Sequence, residues 1–369
     1  MNPFDVLEDL QVTYRLLVET FQDIANDDIR VWMRNRIKQG DFLWRPPFLT
    51  LQRRFRYGDP VEQLVQQGFL HPKILHIFRS KKDDPNSAPV RPYLHQTEAW
   101  RVILGEKRNC VVTTGTGSGK SFCFAVPVVD ICLRANEAAK VTPTSRRSVK
   151  ALLVYPMNAL ANSQYDDLAE RLRDTGLTIC NYTSELKEAP EAAKKAFVEN
   201  MGREPYESEV VSRLELRQGR GADILVTNFM MLELILTRWE DRNIFPFGGL
   251  SDLKFLVFDE IHTYTGRQGA DVACLIRRLK EHTQCKGKVR CVGTSATIDS
   301  SNPDQARQSV ASFAQDLFGE PFAKEDVVGE SYSAYLTSDQ PAPLPPYSID
   351  AAKVKAASER DGQDRKSVV

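Results

Sequence analysis

Residues 110 to 121 read Cys110-Val111-Val112-Thr113-Thr114-Gly115-Thr116-Gly117-Ser118-Gly119-Lys120-Ser121. The first four residues predict a buried strand, and Gly115, Gly117 and Gly119 predict a tight turn that opens a helix. In that context the backbone N–H groups of the turn point at phosphate oxygens, and the helix N-terminus adds a favourable dipole. Lys120 would then reach the β- and γ-phosphates of a nucleotide, and the Ser121 hydroxyl would ligate Mg²⁺.

Two residues depart from the usual form of such a loop. Thr114 stands where the strict pattern has Gly or Ala. Pro127 lies about two turns into the predicted helix, where it removes a backbone donor. Neither departure excludes a phosphate-binding loop, because further motifs follow it along the chain in the order that such a domain requires.

Four more short apolar runs follow, and helical patterns separate them. The runs are Leu152–Tyr155, Ile224–Thr227, Phe255–Phe258 and Cys291–Thr294. Each is continuously apolar rather than alternating, as expected for strands buried on both faces of a parallel sheet. The alternation of strand and helix therefore predicts an α/β fold, a parallel sheet flanked by helices.

Composition divides the chain into three zones. Residues 1–88 predict a mostly helical accessory segment, and residues 89–324 hold the α/β domain. Residues 325–369 contain Pro341–Pro346 and predict a linker or disordered tail. Within the domain, residues 185–222 are charged and helix-prone, which predicts a solvent-exposed helical insertion, with a regulatory or nucleic-acid-facing role as the alternative.

Overall composition excludes several classes of protein. The 369 residues are 42% hydrophobic and 27% charged, with 49 basic and 49 acidic side chains, so the chain is neither fibrous nor wholly disordered. No run approaches the roughly 20 apolar residues that span a membrane. The N-terminus lacks the pattern of a signal peptide, and the seven cysteines form no C-x-x-C pair. Together these features predict a cytoplasmic protein with reduced cysteines.

The strand predicted at 255–258 ends on two carboxylates, Asp259 and Glu260, followed by His262. At the carboxyl edge of a sheet both carboxylates can face bound phosphates. Asp259 would hold Mg²⁺ through water, and Glu260 would orient and polarise an attacking water. His262 would hydrogen-bond to neighbouring loops. The alternative is a charge pair at a helix N-terminus, which the upstream phosphate loop makes the weaker interpretation.

Another predicted strand ends on Ser295-Ala296-Thr297. Small hydroxyl residues at that edge can bond to the acidic motif and respond to the γ-phosphate. Taken alone, the tripeptide is an ordinary loop.

The order of these elements resembles the first RecA-like lobe of superfamily 2 DExH-box helicases, with a DEIH box at 259–262. The resemblance implies a RecA-like P-loop NTPase fold with Lys120, Asp259, Glu260 and His262 as catalytic residues and with ATP and Mg²⁺ as cofactors. It also implies an adenine-reading role for Gln96, whose amide can pair with adenine N6 and N7. A surface glutamine near a helix start is the alternative for this residue. The ATP-binding residues are then Gln96, Gly115, Thr116, Gly117, Ser118, Gly119, Lys120 and Ser121.

Two further segments are similar to nucleic-acid-binding motifs of the same family. Tyr155–Gln164 resembles motif Ia, and Asp223–Asn228 resembles a later strand-and-loop motif. The residues that the resemblance assigns to nucleic acid are Pro156, Asn158, Thr227 and Asn228. Loops of this kind bind the phosphate backbone without reading bases.

A narrower likeness comes from residues 262–272 with 277–279, and from an accessory segment at 47–49, 57–58 and 64–70. These residues resemble a subgroup of large bacterial helicases of repair and phage defence, of the MrfA and DISARM types. The resemblance covers about residues 45 to 330. It implies a DNA partner, preferred over RNA on this ground alone, and possible subunits of a repair or defence complex.

The segment 34–56 interleaves seven basic residues with four aromatic ones, and a fifth aromatic residue, Trp32, lies just before it. Such a pattern can hold single-stranded nucleic acid by charge and stacking. A small helical subdomain with its aromatic residues inside is the preferred interpretation.

No second strand–helix series and no arginine motif follow residue 325. The sequence therefore predicts the ATP-binding lobe of an ATP-dependent DNA helicase or translocase whose second lobe is missing, so that the isolated fragment is nearly inactive. The alternative is a non-catalytic, ATP-gated DNA-binding scaffold.

Overall fold

The computed structural model describes residues 3–21, 24–38, 43, 54–82, 84, 86–115, 117–140, 146–296 and 302–333. The chain divides into two compact units, of which residues 54–333 form one. The described residues of the other unit form two helices, α1 (Pro3–Phe21) and α2 (Asp27–Lys38). Most of the basic and aromatic segment 34–56 lies outside the described residues, and so does Pro341–Pro346.

Seven parallel strands form the sheet in the described part of residues 54–333. They are β1 (Cys110–Thr113), β2 (Ala151–Tyr155), β3 (Ile179–Tyr182), β4 (Ile224–Asn228), β5 (Phe255–Phe258), β6 (Arg290–Ser295) and β7 (Val327–Gly329). Their spatial order is β3-β4-β2-β5-β6-β1-β7, and every neighbouring pair is parallel. All seven carboxyl ends therefore lie at one edge of the sheet. The predicted RecA-like α/β fold is confirmed, and so are its five predicted strands.

Helices cover both faces of this sheet. They are α3 (Val61–Gln66), α4 (Ile74–Ile77), α5 (Leu94–Trp100), α6 (Lys120–Ala138), α7 (Asn158–Arg171), α8 (Pro190–Met201), α9 (Arg213–Gln218), α10 (Phe229–Thr237), α11 (Gly266–Thr283) and α12 (Pro303–Phe318). Cys110 and Val112 pack in one apolar cluster with residues of α3–α7, whereas Val111 packs in a second with residues of α10–α12. This two-sided burial explains why the strands are continuously apolar.

Helix α6 continues through Pro127, which is buried. None of the described helices is long and apolar enough to cross a membrane. All seven cysteines are free thiols, and Cys274 alone is exposed. Burial raises the pKa of the Cys291 thiol to about 12. Six of the seven cysteines are thus buried, which agrees with the expectation that most of them lie in the core.

The compact unit that holds the sheet spans residues 54–333, whereas the sequence predicts a domain at 89–324. At its front, Leu64 and Ile74 belong to the apolar cluster under β1. At its end, Val327 pairs with Val111 of β1, so β7 extends the sheet by one strand. Short segments such as these carry too few residues to show a period of their own.

Residues 185–222 hold two helices, α8 and α9, and none of the seven strands. Helix α8 buries only Ala193. Helix α9 is anchored more firmly, because Leu216 packs in the second apolar cluster and Arg217 forms an ion pair with the buried Asp241 at 2.6 Å.

Candidate functional site

The site lies at the carboxyl edge of three neighbouring strands, β5, β6 and β1. The phosphate loop runs from β1 to α6, and it turns at Gly117 and Gly119, where φ is +80° and +72°. Only glycine adopts such angles without strain. A Cβ atom on Gly119 would also lie 2.6 Å from Gln96 Nε2, the end of a flexible side chain, so it is the backbone angle that requires glycine here.

The side chain of Thr114 fits the loop although the strict pattern has a smaller residue there. Thr114 and Ser118 are fully buried, and their hydroxyl oxygens lie 2.7 Å apart in a hydrogen bond. This hydrogen bond links the start of the phosphate loop, at Thr114, to its end, at Ser118. The Gly115 amide donates to the carboxylate of Glu330, which follows β7. Thr116, predicted to bind ATP, lies outside the described residues.

Lys120 and Ser121, at the start of α6, already have partners in the protein. Lys120 Nζ lies 2.7 Å from Glu260 Oε1, in a pair whose side chains are 15% and 25% exposed. Ser121 Oγ donates to Gln164 Oε1 of α7 at 2.6 Å. The first contact brings the phosphate loop and the acidic motif together, as their shared edge predicts.

Asp259 follows β5 and is 9% exposed. Its backbone N–H donates to the Val154 carbonyl of β2 at 2.9 Å, and its carboxylate accepts from the Thr294 hydroxyl of β6. Burial raises the pKa of the Asp259 carboxyl above its usual range, and the hydrogen bond from Thr294 opposes that rise. The Thr294 hydroxyl also accepts from the Glu260 N–H at 3.0 Å, so one hydroxyl fixes both acidic residues.

Glu260 has a left-handed backbone, with φ 49° and ψ 52°. Its carbonyl accepts from both the N–H and the hydroxyl of Thr263, at 2.9 and 2.8 Å. These bonds hold a conformation that glutamate rarely adopts. The turn directs the Glu260 side chain back toward Lys120.

His262 connects the acidic motif to the end of β6. The Ala296 N–H and the Ser295 hydroxyl both lie 3.3 Å from His262 Nδ1. Glu260 Oε2 also lies 3.3 Å from His262 Nδ1, so this ring nitrogen faces both a donor, the Ala296 N–H, and an acceptor, the Glu260 carboxylate. Ser295 and Ala296 therefore contact the acidic motif through His262, whereas Thr297 lies outside the described residues.

Gln96 and His95 are buried behind the phosphate loop. The Gln96 amide accepts from the Tyr93 N–H at 2.8 Å and donates to the Gly119 carbonyl at 2.9 Å. His95 Nε2 lies 3.0 Å from the Ser118 carbonyl, and burial lowers the pKa of its imidazole. The amide of Gln96, which was predicted to read adenine, is thus bonded at both ends to backbone groups, and one of these bonds supports the phosphate loop at Gly119.

The residues predicted to bind nucleic acid lie at the carboxyl ends of β2 and β4, which are neighbours: Pro156 and Asn158 follow β2, and Thr227 and Asn228 end β4. Asn228 Nδ2 donates to Asn158 Oδ1 at 2.5 Å, while Asn228 Oδ1 caps α10 by accepting from the Met231 N–H. Pro156 is half-buried. Thr227 is fully buried, and its hydroxyl donates to the Tyr182 carbonyl at 2.7 Å, so it does not face the surface.

Sequence reasoning missed four residues of the site. They are His95, Gln164, Thr294 and Glu330. Gln164 ends the segment that resembles motif Ia, and Thr294 ends a predicted strand just before Ser295. A polar residue at such a position is the signal that could have drawn attention to them.

Oxygen donors suited to Mg²⁺ come from two residues, the Ser121 hydroxyl and the Asp259 carboxylate. Mg²⁺ keeps several waters and takes one or two protein oxygens together with substrate phosphates, so this small donor set fits it. Among the described residues, no group of three or more His, Cys, Asp or Glu side chains is placed to hold a metal alone.

Comparison with known proteins identifies the type of domain. The family model described as DEAD/DEAH box helicase matches residues 93–306, more than half of the chain. That range includes both the phosphate loop and the acidic motif. The predicted resemblance to DExH-box helicases is therefore confirmed.

Three similar proteins are all longer than this chain, which covers only part of the length of each. The Druantia protein DruE of Escherichia coli (strain UMEA 4076-1) is 25% identical over 85% of this chain and 21% of its own. The uncharacterised ATP-dependent helicase YprA of Bacillus subtilis (strain 168) is 28% identical over 58% and 23%. The crystal structure of the DUF1998 helicase MrfA bound to DNA is 25% identical, with a TM-score of 0.48 over 76% of this chain and 31% of that one. The chain thus spans about a fifth to a quarter of the curated relatives.

Proposed function

Because this chain belongs to the DEAD/DEAH box helicase family, we propose that it forms the ATP-binding lobe of an ATP-dependent DNA helicase or translocase. The 2.7 Å contact between Lys120 and Glu260 carries the proposal. It joins the loop that would hold the phosphates to the carboxylate that would activate water. Relationship to ATP-dependent helicases supports the reaction class.

ATP binds, in this proposal, against the loop that precedes α6. Backbone N–H groups of the loop hold the phosphate oxygens, and Lys120 exchanges its bond to Glu260 for a bond to the β- and γ-phosphates. The exchange frees the Glu260 carboxylate. Adenine recognition by Gln96 requires the same kind of exchange, because both ends of its amide are bonded to backbone groups.

Ser121 and Asp259 are the residues that would hold Mg²⁺, Asp259 through water. The ion supplies positive charge that neutralises the phosphate oxygens when ATP is bound. Thr294 fixes the carboxylate of Asp259, so that this ligand is oriented in advance.

Glu260 takes the role of the residue that orients and polarises water. The water oxygen attacks the γ-phosphorus, the bond to the β–γ bridging oxygen breaks, and the water proton passes to the Glu260 carboxylate. His262, held by Ser295 and Ala296, links this event to the end of β6. Ser295 and Ala296, with Thr297, would couple the presence or loss of the γ-phosphate to the loop that follows β6.

Nucleic acid binds in this proposal at the carboxyl ends of β2 and β4. Asn158 and Asn228 would contact the phosphate backbone, and Pro156 would shape the loop. Thr227 would act indirectly, because its hydroxyl holds the Tyr182 carbonyl and so positions Asn228. DNA is proposed over RNA from the resemblance to repair and defence helicases, as are partner subunits of such a complex and a cytoplasmic location.

The 369 residues alone should bind ATP yet hydrolyse it slowly. In related enzymes an arginine supplied from outside the phosphate loop accelerates the reaction by about 10³–10⁵. In superfamily 2 helicases that arginine belongs to the second lobe, which the sequence does not show. Chains that contain both lobes should hydrolyse ATP when nucleic acid is present.

Calorimetry with ATP and Mg²⁺ tests the binding site. Lys120→Ala should weaken ATP binding by at least 100-fold, because it removes the cation that faces the phosphates. Lys140→Ala removes the same charge from an exposed position just beyond the other end of α6 and should bind like the wild type. Equal affinity in Lys120→Ala and wild type would contradict the proposal.

Phosphate release tests the catalytic role. The 369-residue chain should show release near background, and a version extended to both lobes should show release stimulated by DNA more than by RNA. Glu260→Gln should abolish the stimulated release while ATP binding is retained. Binding without any turnover in the extended protein would favour the non-catalytic scaffold, and stronger stimulation by RNA would contradict the preference for DNA.

A further inference from the structure

Helix α7 carries a contact to the phosphate loop that the proposed roles do not use. It begins at Asn158, directly after β2, and Gln164 lies less than two turns further on. Ser121 Oγ donates to Gln164 Oε1 at 2.6 Å. Both residues are half-buried and line one cavity of about 660 Å³, together with Gly119 and Asp167.

The chemistry of a hydroxyl explains how the contact between Ser121 and Gln164 would affect metal binding. A serine hydroxyl has one proton and two lone pairs, and a metal ion takes a lone pair. The proton must then point at another acceptor, or the O–H dipole opposes the cation. Gln164 Oε1 is such an acceptor, and it is already in place.

We propose that Gln164 is a positioning residue, which fixes the Ser121 hydroxyl so that its lone pair faces Mg²⁺. The proposal rests on the proposed function, because it deepens the part of Ser121 in that site. Partners that orient a metal ligand in this way typically change metal affinity by 10- to 100-fold when they are removed.

The same helix also connects the two candidate sites. Its first residue, Asn158, is bonded to Asn228 at the nucleic-acid end, and Gln164 is about 9 Å further along the axis at 1.5 Å per residue. A displacement of α7 by nucleic acid would therefore reach the Ser121 hydroxyl. By linkage, ATP with Mg²⁺ and nucleic acid should then strengthen or weaken each other's binding by the same factor.

Binding of a fluorescent ATP analogue, with Mg²⁺ and with EDTA, tests the proposal in the 369-residue chain. In the wild type, Mg²⁺ should strengthen binding. Gln164→Met keeps the length of the side chain but removes the acceptor, and it should reduce the Mg²⁺ enhancement about tenfold. Affinity in EDTA should change less than about twofold, since no phosphate contact is lost.

Two controls separate positioning from damage to the fold. Gln164→Glu keeps an acceptor oxygen and should keep the Mg²⁺ enhancement. Ser163→Ala alters the neighbouring exposed residue of α7 and should behave as the wild type. Gln164→Ala, which suits a helix, replaces Gln164→Met if that variant melts at a lower temperature.

The outcomes distinguish the proposed role of Gln164 from the proposed ATP-binding function on which it rests. Unchanged Mg²⁺ enhancement in Gln164→Met or Gln164→Ala overturns the role of Gln164 and leaves ATP binding standing. Loss of the enhancement in Gln164→Glu also overturns it, because the acceptor was retained. A wild-type chain that binds the analogue in neither condition overturns the proposed function itself.

Discussion

Replacement of Thr294 by valine tests how the acidic motif is held together. Thr294 lies in β6, opposite Val112 of β1, and is fully buried. Its hydroxyl accepts from the Glu260 N–H at 3.0 Å and donates to the Asp259 carboxylate. Valine has the same shape and suits a strand, so the substitution removes the two hydrogen bonds and little else.

The magnitude follows from the groups that are left behind. Loss of a hydrogen bond to a charged group costs about 1.5–3 kcal/mol, and a buried donor without a partner costs about 1–3 kcal/mol. Because the end of β5 can relax, we expect the free energy of unfolding of Thr294→Val to fall by about 2–4 kcal/mol, a large share of a typical 5–15 kcal/mol. Thr294→Ser keeps the hydroxyl and loses one methyl group, which is worth about 0.8 kcal/mol.

Urea unfolding followed by circular dichroism measures both variants against the wild type. Thr294→Val should unfold at lower urea than Thr294→Ser, with the same dependence on urea concentration. If Thr294→Val is as stable as Thr294→Ser, the two hydrogen bonds contribute nothing to stability. The Thr294 hydroxyl then does not fix Asp259 and Glu260.

Three further substitutions probe other parts of the site. Burial lowers the pKa of His95, so the folded state favours the neutral imidazole. The contribution of His95 to the free energy of unfolding is therefore fully present above the unfolded-state pKa near 6.5, and it is lost as the pH falls below that value. His95→Gln keeps a donor for the Ser118 carbonyl and should show a smaller loss of unfolding free energy between pH 7 and pH 5; equal losses would contradict this. Asp223→Asn should cost about 3–5 kcal/mol in urea unfolding, since it removes the nearer of the two carboxylates that neutralise the buried Lys150 ammonium, at 2.9 rather than 3.8 Å, and a cost below about 1 kcal/mol would refute it. Asn228→Ala should lower stability by about 1 kcal/mol through the lost cap of α10 and weaken DNA binding, while the salt dependence of binding stays the same because no charge is removed.

The fold was largely predictable because the central strands are apolar without interruption. Ile224–Asn228 and Phe255–Phe258 are examples, and each is buried on both faces. Two strands escaped prediction. Ile179–Tyr182 is broken by the half-buried Asn181, and Val327–Gly329 has only three residues, so neither shows a pattern above that of a loop.

In the site, sequence reasoning identified polar residues better than it identified their partners. The contact of Lys120 with Glu260 follows from two motifs that share one edge. The bonds of Thr294 and Gln164 span more than 30 residues and depend on the register of neighbouring strands and on the rotation of a helix. Neither quantity can be derived from one local pattern, and the same holds for the buried hydroxyl of Thr227.

The left-handed backbone of Glu260 also bears on how this protein would respond to selection for heat resistance. A non-glycine residue at φ 49° and ψ 52° carries about 1–3 kcal/mol of strain. Asparagine and glycine adopt that conformation more easily, so replacing Glu260 with either residue should relieve strain. Both replacements remove the carboxylate proposed to activate water. A screen that scores thermal stability alone would therefore enrich chains that lack the proposed water-activating carboxylate, so stability and the proposed activity make opposite demands on this position.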